Sequence, residues 1–142
     1  MPARIRHFVH TNQTTGTTAL TSSYGTARAH NLTEGLAPFI TAGVSWAAFL
    51  ETVNVHVHAI SGATSLTVRV TSDATGDTCI IPDTTATIST GVTTAARGSV
   101  AFSAGVAMTN LDPATTNSTV YVWAKTNAGT ANLKESTIVW TE

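Results

Sequence analysis

Charge is scarce in this sequence. Of its 142 residues only 11% are charged, the formal net charge is −1, and lysine occurs at Lys125 and Lys134 alone. So thin a charge leaves no electrostatic footprint for nucleic acid or an anionic membrane, and neither is expected as a partner. It also suits a solitary soluble monomer poorly, and is easier to understand if other protein covers much of the surface. One cysteine, Cys79, excludes an internal disulfide. Its setting, TCIIP, predicts a small buried residue. No window approaches the roughly 18 apolar residues of a membrane helix. The N-terminal MPARIRHFVH lacks the apolar core of a secretory signal.

Catalytic signatures are also missing. There is no G-x-S-x-G elbow, no Cys-His signature and no glycine-rich phosphate loop. Eight scattered carboxylates offer no obvious acid–base pair for glycoside hydrolysis. The chain reads as non-enzymatic and without a cofactor.

What is abundant is threonine, at 29 positions. Thr is β-branched and polar, so it suits the open face of a strand and the turns between strands. Helix-favouring Lys, Glu, Gln and Leu are sparse, which argues against a helical bundle. The length fits one domain with a two-layer core.

The chain is organised around Ser45–Thr71. Val53, Val55 and Val57 share one face, with Asn54, His56 and His58 on the other; Leu66, Val68 and Val70 oppose Thr67 and Arg69. Period two fixes a buried and an open side for each strand. Ser61-Gly62-Ala63-Thr64 between the runs reads as a β-hairpin turn. Ahead of Val53 the apolar positions change phase, from Trp46, Ala48 and Leu50 to Val53 onward. A β-bulge near Glu51 and Thr52 would do this, and a helical turn over 46–51 is the alternative.

Elsewhere, residues 4–10 read as a short strand or an extended arm, with neither face clearly apolar. Residues 11–35 are rich in Thr, Ser, Asn and Gly, with no sustained period, too long for an ordinary loop. They are read as part of an extended N-terminal arm, residues 1–35, held by neighbouring subunits, ahead of a sandwich domain spanning 36–142. In the arm, Arg4, Arg6 and Phe8 are candidate contacts outside the domain. SDATGD (72–77) is a turn cluster in which Asp73 caps the backbone and Gly76 supplies positive φ. A short strand around Cys79–Ile81 is expected to stop at Pro82, and ATISTGV (86–92) gives another. GSVAFSAGVAM places Val100, Phe102, Ala104, Val106 and Met108 on one face. STVYVWAKT is apolar on both faces, as a central strand or one covered by a partner would be. Val120 and Val122 lie on one of those faces and Tyr121 and Trp123, candidate interface residues, on the other. The closing run puts Ile138 and Trp140 on one side. Seven or eight strands with frequent turns predict an all-β antiparallel sandwich or jelly roll.

His56 and His58 form an H-x-H pair whose spacing can place two imidazoles on one metal, given a further ligand from His7, His10, His30 or a carboxylate. The competing reading is polar cover of an open strand face, and no metal is assigned. Asp73 and Asp77 supply too few oxygens for a calcium loop. Trp46, Trp123, Trp140 and Tyr121 could form a sugar platform, although tryptophans in a small sandwich more often anchor cores and interfaces.

The segments LTVRVTSDATGD, GSVAFSAGV, STVYVWAKTNAGTANL and STIVWTE together resemble small β-sandwich virion proteins of tailed bacteriophages: capsid decoration (cement) proteins and related head or tail accessory proteins. The resemblance spans roughly residues 45–142 and transfers no individual site residue. It implies a Thr/Ala/Gly-rich, Lys-poor homo-oligomer, a trimer favoured, made in the host cytoplasm. Its place would be the capsid surface, where it binds the major capsid protein or other virion proteins and braces the shell. The long N-terminal segment departs from that pattern and would equally fit a tail joint. The alternative from another class is a carbohydrate- or receptor-binding β-sandwich module.

Overall fold

The computed structural model describes residues 7–32, 46–90, 97–111 and 119–141. Among them the secondary structure is all β: β1 (His7–Leu20), β2 (Arg28–Asn31), β3 (Trp46–Ser61), β4 (Ser65–Thr71), β5 (Cys79–Thr87), β6 (Ser89–Thr90), β7 (Arg97–Leu111), β8 (Thr119–Thr126) and β9 (Thr130–Thr141). They form a five-stranded sheet, β1-β9-β3-β7-β6, and a four-stranded sheet, β2-β8-β4-β5. Every strand pairing is antiparallel. This is the expected sandwich, with eight full strands and a two-residue β6.

The core lies between the sheets. Leu50, Val53, Val55 and Val57 of β3 and Leu133, Ile138 and Trp140 of β9 face Leu66, Val68 and Val70 of β4 and Val120, Val122 and Ala124 of β8, all buried. Alternation alone selects these residues: β8 buries every second side chain along its length, and β4 does so as far as Val70. β8 is apolar on both faces and sits inside its sheet, between β2 and β4. The phase change in β3 is a bulge. Its register slips between Leu50 and Thr52 against both neighbours, β7 and β9, so Leu50 and Val53 both point inward. The GSVAFSAGVAM run falls within β7, but its side chains lie outside the described residues.

Four expectations are corrected. The link between β3 and β4 is not a hairpin. β3 belongs to the five-stranded sheet and β4 to the four-stranded one, so Ser61–Ser65 is an arch between layers. A second arch, from β8 to β9, lies against it. Asn127 Oδ1 accepts from the Thr64 and Ser65 amides at 3.0 Å each, and Gly62 bridges Thr130.

Residues 7–32 are not an arm but supply an edge strand to each sheet. β1 pairs with β9 and β2 with β8. The inward face of β2 carries Arg28 and His30, both buried, so no apolar alternation marks it. Pro82 does not end β5, which runs on to Thr87. β5 is a sheet edge, where a missing amide costs no ladder bond, and its register shifts on either side of Val70's pairing. Finally, Cys79 is exposed, because that same edge position leaves its side uncovered.

Candidate functional site

Two outer faces and one internal seam hold the chemistry. On the outer face of the four-stranded sheet, β8 presents Tyr121, Trp123 and Lys125, and β4 presents Thr67 and Arg69 in register beside them. The Arg69 Nε donates to Asp83 Oδ1 at 2.6 Å, and Lys125 Nζ lies 3.7 Å from Asp83 Oδ2. Tyr24, from the loop between β1 and β2, lies over both cations, 4.9 Å from Arg69 Cζ and 4.5 Å from Lys125 Nζ. Burial, then the neighbouring Asp83 carboxylate, push the Tyr24 hydroxyl well above the ordinary phenol range. Arg69 in turn holds Asp83 below the ordinary carboxylate range. These groups are largely in solvent, which screens them and leaves each contact weak.

Trp123 is engaged by its own chain. Its Nε1 donates to Thr71 Oγ1 at 2.8 Å, and Tyr24 meets it edge-on at a centroid distance of 6.5 Å. Gly76 (φ +86) lies so close that an added Cβ would sit 3.4 Å from the indole ring. Gly76 belongs to the 72–78 turn, built as the sequence predicts: Asp73 accepts from the amides of Thr75, Asp77 and Thr78. That turn and the Tyr24 loop cover the face a sugar would stack on.

The outer face of the five-stranded sheet differs. In register across β1, β9 and β3 run three rows: Val9–Val139–Thr52, Thr11–Thr137–Asn54 and Gln13–Glu135–His56. The first two rows hold no ionisable side chain. Val9 is 65% exposed and Phe49, further along β3, 43%. Strand β1, at the sheet edge, has neither a formal charge nor a proline over 14 residues. Proteins commonly guard such edges with charge, proline or brevity. Here β5 carries Pro82 and Asp83 and β2 is short, whereas β1 is long and broken only by a register shift between Gln13 and Thr18, and β7 runs well past the two residues it pairs with β6.

The expected site residues are thus separated. Tyr121 and Trp123 share the outer face of the four-stranded sheet. Phe8 belongs to the other sheet, at the β1 position in register with buried Trp140. Arg4 and Arg6 lie outside the described residues. His56, exposed, has Nδ1 3.8 Å from Glu135 Oε1, with half-buried His58 further along β3. Among the described residues, no group of three or more His, Cys, Asp or Glu could hold a metal ion.

The seam between β1 and β2 was not legible beforehand. His10 Nδ1 lies 2.9 Å from His30 Nδ1, and His30 Nε2 lies 2.7 Å from Ser136 Oγ. Ser136, His30 and His10 thus fall in the order nucleophile, base, orienting group. Both Ser136 and His30 are 0% exposed, so no external substrate reaches the hydroxyl. The cluster is a packing seam. Arg28, 3% exposed, extends it by donating to Thr18 Oγ1 at 2.8 Å and the Leu133 carbonyl at 3.3 Å. Its partners lie 20 and 106 residues apart in the chain, and no local motif announces them.

Comparison with known proteins adds little. No family model matches, and no curated protein matches. A chain from the structure of infectious bursal disease virus, Gt strain, superposes with a TM-score of 0.30 at 11% identity. The match covers 96% of this chain and 31% of that one. A likeness this distant carries no functional argument.

Proposed function

We propose that this chain is a non-enzymatic structural protein of a phage virion, a capsid decoration or cement protein. It would attach to the major capsid protein or a neighbouring virion protein through the open face of its five-stranded sheet. One observation carries the docking reading. Among the described residues the four-stranded sheet has Trp123 on its outer face covered by its own loop and turn, whereas the five-stranded sheet presents charge-free rows with Val9 and Phe49 exposed beside the long, charge-free β1 edge. A flat, weakly charged face of this kind favours burial against protein and repels few partners. The virion setting rests on the sequence resemblance. Symmetric copies bound side by side would convert modest contacts into lasting attachment by avidity.

Co-sedimentation with purified phage shells lacking this chain tests the proposal. Wild-type protein should pellet with shells, and a Val9→Asp/Phe49→Asp double variant with an unchanged circular dichroism spectrum should be retained at least tenfold less. Equal retention of the two would refute the role of this face. The carbohydrate-module alternative is disfavoured by the covered Trp123, and glycan-array binding lost on Trp123→Ala would restore it.

A further inference from the structure

The two N-terminal strands meet across the open side of the sandwich without pairing to each other as strands. β1 pairs only with β9, and β2 only with β8. What joins them is His10 to His30, Asn12 Nδ2 donating to the Ala29 carbonyl at 2.6 Å, and Arg28 to Thr18. We propose that the His10–His30 contact is an acid-sensitive latch, which holds β1 and β2 against the sandwich at neutral pH and releases them on acidification.

The geometry sets the chemistry. Two Nδ1 atoms 2.9 Å apart can be bonded only if one carries a proton and the other offers a lone pair. Neutral imidazoles satisfy this in either tautomeric arrangement, since His30 Nε2 can donate to Ser136 Oγ or accept from it. A single added proton can still be shared across the contact. A second would set N–H against N–H, and the bond would become a repulsion.

Burial and two neighbouring basic groups oppose a positive charge on His30 and outweigh the one influence that favours it, a hydrogen bond to the His10 backbone. The groups around His30 are His10 from β1, Arg28 from its own strand and Ser136 from β9, with Val120 of β8 in register beside it; Asn12 and Thr18 of β1 bind the neighbouring Ala29 carbonyl and Arg28. Arg28 is already a buried cation, and its Nε and Nη1 find no hydrogen-bond partner. Glu135, the adjacent carboxylate on β9, lies on the opposite face with His56. Burial, the chief cause, with the nearby His10 and Arg28, depresses His30 from 6.5 to about 3. The sign follows: the unfolded chain takes up this proton below pH 6.5 and the closed seam does not, so closure weakens as pH falls from 6.5 towards 3.

Release should be local. β1 and β2 are edge strands, each with one partner strand, whereas β4 and β8 are interior. Opening would bare Leu20, Leu32 and the β9 side of the core, a changed surface suited to detaching or rearranging a bound protein.

Hydrogen–deuterium exchange of the full chain, corrected for intrinsic pH-dependent rates, tests this at pH 7.5 and 4.5. Protection in segments 7–20 and 28–32 should fall at least tenfold at pH 4.5 relative to segments 65–71 and 119–126. In a His10→Asn/His30→Gln variant the fall should be under twofold. Equal protection of all segments at both pH values in wild type would overturn the latch, as would equal opening in wild type and variant. Should the double variant not fold, histidine NMR titration of the native chain decides. The His30 resonance should stay neutral until the β1 and β2 amide signals are lost, and its protonation with those signals intact would overturn the proposal.

Discussion

The Trp123 indole donates to Thr71 Oγ1, and the Thr71 hydroxyl itself donates to the Asp73 carbonyl, both at 2.8 Å. Thr71 is fully buried beneath the turn it tethers. One hydroxyl thus joins the last residue of β4 to the indole of β8 and to the backbone of the 72–78 turn. Thr71→Val keeps the shape and removes both bonds. It should lower unfolding stability by about 1–3 kcal/mol, because the indole N–H loses its partner in a half-buried position. Thr71→Ser should recover most of that. Urea denaturation of the three proteins checks it.

Asp73 organises the turn as an ionised acceptor. Its carboxylate takes hydrogen bonds from Thr75 Oγ1 and from the amides of Thr75, Asp77 and Thr78. The Thr75 side chain leads in holding it far below the ordinary value of 3.8. A depressed carboxylate stabilises the fold above its unfolded pKa and loses that effect as pH falls towards its folded one. Asp73→Ala should therefore lower the melting temperature by a constant amount at neutral and mildly acidic pH. Below pH 3.8 the gap between wild type and variant should narrow. A gap independent of pH down to pH 2 would show that the carboxylate charge is not what orders the turn.

How far could the chain be read from its residues? The inward faces of β3, β4, β8 and β9 were legible, because each exposes a period of two over apolar side chains. The bulge at Glu51 was legible because Leu50 and Val53 break that period. The partner of each strand was not. Val53–Val57 and Leu66–Val70 alternate identically whether they form one hairpin or face each other across two sheets, since alternation reports a side chain's face and not which strand lies beside it. β2 stayed hidden for another reason: its buried positions are Arg28 and His30, which bond to Thr18, Leu133 and Ser136 from distant parts of the chain. Of the candidate interface, Tyr121 and Trp123 were legible as a pair on one face of β8, but not which face that is, nor the Tyr24 loop and the turn that cover Trp123.

Cys79 is an exposed thiol at the start of an edge strand. It should be alkylated in the native state, without denaturant. Cys79→Ser should change stability by no more than about 0.5 kcal/mol, the usual range for a surface exchange. Mass spectrometry after brief iodoacetamide treatment reads the first, and urea unfolding the second. Protection from alkylation in native protein would mean that the β5 edge is covered.

Gly129 stands where the two arches touch. Its φ is +61°, in the left-handed region, and a Cβ built there would collide with the Ser61 carbonyl oxygen and crowd the backbone of Gly62. Both obstacles are backbone atoms of the β3–β4 arch, held by Asn127 to the Thr64 and Ser65 amides, so no rotamer change relieves them. Gly129→Ala combines left-handed strain with a clash in packed structure, each costing about 1–3 kcal/mol. The sum, roughly 2–6 kcal/mol, is a large part of the stability of an ordinary domain. The variant should unfold at much lower urea concentration or fail to accumulate as folded protein. Gly25→Ala is the matched control: no heavy atom lies within 4 Å of its built Cβ, and its φ is not in the left-handed range. It should be neutral, or slightly stabilising through the restricted unfolded chain. If Gly129→Ala unfolds with the wild-type midpoint, the two arches are not in contact and the strand order that brings β8–β9 beside β3–β4 is wrong.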